Sequence, residues 1–314
     1  MTSPATPIMI SPRQHSIGEL TKRVQIAERL GVDQVWVEQQ PDMRDATVAA
    51  AAYLNAAPSV SVGTAVLPVY ARHPVGMAQS AATLAEVSNG RYNLGLGYSH
   101  GFINEYVLGQ KPGPAIAVMR EYLTIVKNLL SEGRVDVDGQ HFTAHAQYVN
   151  DRPKVPLYLA ALRPQMIRLA VELGDGIIVW LASRRYLAEQ VMPIVRKACA
   201  DFNRDESTFS VLTILPAYAG DDIDEVRADW ARNAKSYRML PYYRHVLDAY
   251  GPFDPDENSL IGTEEHMAER LAAFRDLGCV PIPSPMAETG EQFLETLTAV
   301  YGAGTHLTTG SGVA

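Results

Sequence analysis

The stretch GTAVLPVYARHPVGMAQSAATLAEVSNGRYNLGLG, residues 63–97, contains a complete folding unit. It enters from an apolar run over 60–67, crosses an Ala-rich segment over 74–87, and ends in a second apolar run over 92–97. Strand, helix and strand in such short order predict a βα repeat and a parallel sheet. The same alternation extends outward in both directions.

Toward the N-terminus, a short apolar run at 8–10 is followed by Ser16-Ile17-Gly18-Glu19, which has the spacing of a capping box. Ile17, Leu20, Val24 and Ala27 then recur at helical spacing, Gly31 stops the helix, 32–37 reads as a strand, and 46–57 as an Ala-rich helix. Toward the C-terminus the pattern predicts a helix over 115–130 and a hairpin over 134–142 around Asp138-Gly139. Strands follow over 155–161, 177–180, 209–218 and 279–282. Helices fall at 164–173, whose proline suits a first turn, and at 185–200, 263–277 and 290–300. A charged, Tyr-rich helical insertion spans 223–249 and breaks near Pro241. Alternation alone is also compatible with a doubly wound sheet. The count of eight strands favours an α/β fold of the (β/α)8 TIM-barrel type, one domain over 1–304 with insertions at about 101–154 and 219–260. The small, polar residues 305–314 read as a flexible tail.

Composition narrows the function. Over 314 residues, 47% are hydrophobic and 20% charged, enough for one large core. The net charge of −8, with no basic run, excludes a nucleic-acid partner, and no apolar stretch suits a membrane span. The start lacks a signal-peptide pattern, so a cytoplasmic protein is expected. Cys199 and Cys279 are far apart and form no CxxC pair, so no disulfide framework and no metal site are expected.

In a barrel of this type the site lies at the C-terminal ends of the strands. Those positions are Glu38-Gln39-Gln40, Leu67-Pro68, Gly97-Tyr98-Ser99-His100, Ala161-Leu162-Arg163 and Trp180. No GxSxG elbow, GxxxxGKS loop or HExxH helix is present. Gly95 and Gly97 have no third glycine at the offset of a dinucleotide loop, and no helix is expected directly after them. One carboxylate, one imidazole, one guanidinium and a glycine pair among apolar groups suit a planar redox cofactor that carries the hard chemistry itself. Glu38 reads either as a site group or as a solvated loop carboxylate, and His100 either as a general acid or base or as a surface-loop histidine. Arg163, at a helix start, reads as a phosphate ligand or a surface ion-pair partner. His73, before Pro74, reads either as a helix-start scaffold residue or as a catalytic one.

With residues 63–97, the stretches VPLYLAALRPQMIRLAVELGDGIIVW (155–180), GQHF (139–142), MLPYYRHVL (239–247) and IGTEEHMAERLAAFRDLG (261–278), in this order, make the chain resemble the bacterial luciferase-like family, and within it the deazaflavin-dependent branch. The resemblance runs from the first helix to about Tyr301. It implies a bound flavin-type cofactor, coenzyme F420 or alternatively FMN. It places Glu38 and Gln39 beside the ring and implies a non-proline cis peptide at Ala65-Val66, before Leu67, bulging against the ring face. The turn GYSHGFINEY supplies Gly97, Tyr98, Ser99 and Asn104 to the cofactor and puts His100 in the place of the family's acid, as proton donor, though the turn is one residue longer than the family's. Ala160, Ala161, Leu162 and Arg163 match the segment on the ribityl-phosphate side. The resemblance implies hydride transfer between F420 and a small organic substrate, in a homodimer. The alternatives are a reduced-FMN monooxygenase on the same fold and a barrel that has lost cofactor binding. Tyr237, Tyr242 and Tyr243 line the substrate side or a dimer contact.

Overall fold

The structure is a computed structural model that describes residues 7–148 and 153–302; the tail expected at 305–314 lies outside them. Eight parallel strands form the barrel wall: β1 (Ile8–Met9), β2 (Gln34–Val37), β3 (Ser61–Thr64), β5 (Tyr92–Gly97), β8 (Leu157–Ala160), β9 (Gly176–Trp180), β10 (Ser210–Tyr218) and β12 (Cys279–Pro285). Neighbours pair in parallel in this order, and β12 lies against β1 to complete the cylinder. Around it run α1 (Ile17–Arg29), α2 (Ala46–Ala56), α3 (Pro74–Val87), α4 (Ala115–Ser131), α5 (Pro164–Leu173), α6 (Arg184–Tyr186), α7 (Met192–Asp201), α10 (Glu264–Asp276) and α11 (Gly290–Tyr301). Four elements stand outside the repeat. The hairpin β6 (Arg134–Asp138) and β7 (Thr143–Gln147) is antiparallel, and α8 (Ile223–Ser236) and α9 (Pro241–Leu247) follow β10.

Local chemistry sets many of the boundaries the sequence predicts. Ser16 accepts from the Glu19 N–H at 3.2 Å while the Glu19 carboxylate accepts from the Ser16 N–H at 2.9 Å, the reciprocal bonds that start α1. Gly31 ends it with φ +84°. Strand alternation then divides the apolar residues. Val35, Val37, Leu94, Leu96 and Leu159 face the helices, while Met9, Trp36, Tyr158, Ile178, Ile214 and Ile282 fill the barrel interior. Trp36 is the largest of these and fully buried. It fits because Gly63 faces it, where a Cβ would come within 2.4 Å of the indole.

The structure departs from the predicted pattern at four places. The run expected over 60–67 is not one strand: β3 stops at Thr64, the Ala65-Val66 peptide is cis, and β4 (Leu67–Pro68) resumes on β5. Thr64 makes the switch, its hydroxyl donating to the Gly95 carbonyl at 3.0 Å and accepting from the Gly95 N–H at 2.9 Å. The helix expected over 185–200 contains a widened turn over Leu187–Val191, where Met192 N–H bonds Leu187 C=O. Pro193 directly beyond cannot donate an N–H, and the wider turn accommodates it. A helical turn also opens soon after Gly97, at Ile103–Val107, where none was expected. The short strand β11 (Leu260–Ile261), which had no expectation, pairs with the end of β10.

A Cβ at Gly95 would lie 1.9 Å from the Thr64 carbonyl oxygen, whereas one at Gly76 in α3 meets nothing. Gly95→Ala is expected to lower stability by about 3 kcal/mol. Gly76→Ala should raise it by about 0.5 kcal/mol, both read from urea unfolding midpoints. Equal effects would contradict the close approach of the two strands.

Candidate active site

One step above the packed interior layer, the two-residue period of the strands delivers a second ring of side chains to the C-terminal mouth. It comprises Ser11, Glu38, Ala65, Gly97, Ala160, Trp180, Pro216 and Ser284. Ala65, Val66 and Trp180 pack on the interior cluster directly beneath. The ring is uneven. The sector from β3, β5 and β8 carries only Ala65, Gly97 and Ala160, so it forms a low shelf. A Cβ on Gly97 would come 2.6 Å from Val66 Cγ2 and 3.4 Å from Ala160 Cβ, so this glycine is what lets the Val66 bulge settle over the shelf.

The opposite sector is polar at its base and aromatic above. The Glu38 carboxylate accepts a hydrogen bond from the Ser11 hydroxyl at 2.6 Å. Burial pushes its pKa up from the usual 4.5, opposed by that bond and by Arg13. Arg13 itself is held by Asp42 at 2.8 Å. Trp180 packs edge-on against Trp230 at 5.5 Å and Tyr237 at 6.3 Å, Tyr237 against Tyr243 at 5.2 Å, and Tyr243 against His100 at 5.8 Å. This relay of rings runs from β9 through α8 and α9 to the turn after β5. Burial lowers the His100 pKa below the usual 6.5 and so favours the neutral imidazole.

Several candidates stand at the mouth with their side chains engaged elsewhere. Gln39 accepts from the Ala46 N–H at 2.7 Å and donates to Gln40 C=O, completing the N-terminus of α2, so its amide is not free to approach a ring. Tyr98 turns its phenol away to donate to the Gly113 carbonyl and packs edge-on against Tyr70. Asn104 is fully buried and donates to the Tyr98 carbonyl at 2.9 Å, which pins the turn where Ser99 takes φ +69°. For Gln39, Tyr98 and Asn104 the geometry therefore leaves the backbone or a bracing role. Leu67 is buried toward the helices. Ala161 N–H bonds Ile178 C=O at 3.3 Å, and Leu162 C=O accepts from the Tyr186 hydroxyl at 3.0 Å. Arg163 is exposed at the N-cap position of α5.

His73 caps α3 by accepting from the Val75 N–H at 3.3 Å and packs on Phe142, away from any chemistry. Both cysteines are free and buried, and burial pushes the Cys279 thiol up to about 12, which rules it out as a nucleophile. Among the described residues no cluster of metal-ligating side chains occurs. Ser11, Pro216 and Ser284 were missed at the level of sequence. Counting two residues on from each interior position would have found them.

Because folded Glu38 holds its proton more tightly than the unfolded chain, its contribution to stability is fully present below pH 4.5 and is lost as pH rises through the raised folded value. Relative to Glu38→Gln, the wild-type urea midpoint is therefore expected to fall with pH from 4.5 upward and then level off. A pH-independent difference would show that Glu38 is not buried as described.

The chain matches the model of the luciferase-like monooxygenase family over residues 1–280. It is 32% identical over 297 residues to an F420-dependent glucose-6-phosphate dehydrogenase of Intrasporangium calvum, covering 85% of this chain and 84% of that protein. With the 5,10-methylenetetrahydromethanopterin reductase of Archaeoglobus fulgidus it shares 28% identity over 219 residues, 69% of this chain and 63% of that one. Among solved structures, an F420-dependent secondary alcohol dehydrogenase in complex with an F420-acetone adduct superposes with a TM-score of 0.81 at 20% identity, covering 94% of this chain and 98% of that one. The oxygenating constituent of 3,6-diketocamphane monooxygenase from Pseudomonas putida, in complex with FMN, gives 0.73 at 15% identity, covering 95% and 97%. These two likenesses establish the barrel fold, and with the family match they lead to one conclusion: the chain belongs to the luciferase-like monooxygenase family.

Proposed function

We propose that the chain is a coenzyme F420-dependent oxidoreductase that moves a hydride to or from a small organic substrate bound over the barrel mouth. The observation that carries this reading is the shelf of Ala65, Gly97 and Ala160, where larger side chains would fill the space a flat ring needs. The relative at 32% identity, named for its F420 dependence, supports the choice of cofactor. When bound, the deazaflavin supplies the hydride chemistry.

The chain positions the reactants and handles the proton. Val66 and the Gly97 backbone would support the ring. The backbone of Ala161 and Leu162, the N–H groups opening α5 and the Arg163 guanidinium would hold the phosphate side. Glu38 supplies a carboxyl and His100 an imidazole to the mouth. Burial favours the neutral form of each, the protonated acid in one and the free imidazole in the other. A carboxyl so placed can donate a proton to a developing alkoxide, and a neutral imidazole can accept one from an alcohol. The aromatic relay from Trp180 to His100 screens this corner from water.

A reduced-FMN monooxygenase is the second reading, favoured by the FMN-bound neighbour of the same shape. We read residues 1–304 as one domain and the protein as a cytoplasmic homodimer. The two free, buried cysteines fit a reducing compartment, and exposed Val48 on α2 and Val87 on α3 offer apolar surface to a second copy.

Titration of the purified protein with oxidised F420 and, in parallel, with FMN tests the assignment through quenching of each cofactor's fluorescence. Saturation by F420 at micromolar concentration, with FMN much weaker, is expected. Ala160→Leu, which builds on the shelf, should weaken F420 binding at least about tenfold with an unchanged circular dichroism spectrum. Preference for FMN would move the assignment to the monooxygenase, and binding of neither would leave a barrel without cofactor.

A further inference from the structure

Several large apolar side chains are exposed on the two segments beside the mouth. Phe102 and Tyr106 are 66% and 79% exposed and stack on each other at 5.1 Å. Met239 and Tyr242 are 82% and 49% exposed. The first pair belongs to the turn after β5 and the second to the segment between β10 and β11. Those two segments meet where His100 packs on Tyr243. Single exposed aromatics are ordinary, but a stacked exposed pair on one of two touching segments and two more exposed apolar side chains on the other point to a binding surface.

Inward from this rim, Tyr243, Tyr237 and Trp180 carry the apolar wall down to Ala65 and Val66. The nearby cations are engaged: Arg13, which bears on Glu38 and Tyr237, is paired with Asp42, Arg238 is paired with Asp248, Arg244 donates to the Arg238 carbonyl, and Arg184 lines a cleft of about 520 Å³ together with Glu189, Asp254 and Glu257. Among the described residues no charged group shifts the proton affinity of His100 or Tyr243. Glu38, with its Ser11 partner, faces the interior beneath this wall.

We infer that the substrate is a neutral, largely apolar alcohol or ketone, with an alicyclic or aromatic body that lies against Trp180, Tyr237 and Tyr243 and an oxygen that meets Glu38. The inference rests on the reading of this mouth as the substrate side of an F420-dependent oxidoreductase. It separates the chain from the sugar phosphate that names its relative. A phosphate dianion here would lose its water among aromatic rings and face a carboxyl group, while Arg13, the cation that bears on Glu38, is already paired with Asp42. A ring-bodied ketone instead buries its body on the aromatic wall and hydrogen-bonds once, at its oxygen.

Isothermal titration calorimetry with 4-tert-butylcyclohexanone, glucose 6-phosphate and inorganic phosphate, on the protein alone and on protein saturated with oxidised F420, tests this directly. The ketone is expected to bind at least about tenfold more tightly than glucose 6-phosphate in both states. Tyr243→Ser should weaken ketone binding by about tenfold, and Phe102→Ser, at an exposed position that leaves the fold untouched, should weaken it severalfold. Tighter binding of either phosphate compound, absence of ketone binding, or unchanged ketone affinity in both variants would overturn the inference. If F420 fails to bind, the cofactor assignment falls, while the titrations of the protein alone still decide the substrate class.

Discussion

The double hydrogen bond between the Thr64 hydroxyl and the Gly95 backbone is the contact on which the mouth depends. By satisfying the ladder groups of the neighbouring strand with a side chain, it lets β3 end one turn short of the rim without leaving buried backbone unpaired. The chain is then free to bulge inward at Ala65 and Val66 before rejoining β5 at Leu67. Glycine at 95 is required by this contact, and glycine at 97 by its result, since Val66 settles where a side chain would stand. A hydroxyl and two missing side chains thereby convert a filled barrel end into a shelf.

The rest of the mouth is arranged around that asymmetry. The low sector comes from β3, β5 and β8, while the tall sector is supplied by Trp180 and by α8 and α9 beyond β10. The tall sector is tied down away from the opening. Arg227 donates to Ile261 C=O at 2.9 Å and contacts Asp256 at 3.0 Å, and Trp230 donates to Asn258 at 3.3 Å. These bonds fix the segment to β11, so the aromatic relay can be held at the mouth by few contacts of its own.

Much of the fold could be read in the sequence because its signals are local. The capping box at Ser16, the stop at Gly31 and proline at the first turn of α5 act within a few residues of themselves, and α3, α5 and β5 have the bounds their patterns predict. What could not be read depends on contacts distant in sequence. Nothing around Thr64 shows that its hydroxyl will bind Gly95, so the break in β3 was hidden behind a continuous apolar run. Among the site candidates, Glu38, Gly97 and His100 lie at strand ends or in the turn just beyond, where the alternation puts them, and Ala160, named through the resemblance, ends β8. Tyr98, Gln39 and Asn104 were legible as positions but not as orientations, because Gly113, the start of α2 and the Tyr98 carbonyl claim their polar atoms. Ser11 and Ser284 give no signal without knowing which face of each strand turns inward.

The mouth draws its two sides from separate lengths of chain: the shelf is complete by Arg163, whereas most of the facing wall comes after β10. The protein is in this respect a socket with an interchangeable collar. On the proposed assignment, drift in the later segment would redraw what is admitted while the earlier segment went on holding the same coenzyme, so descendants of one ancestor could diversify in diet without ever relearning their redox trade.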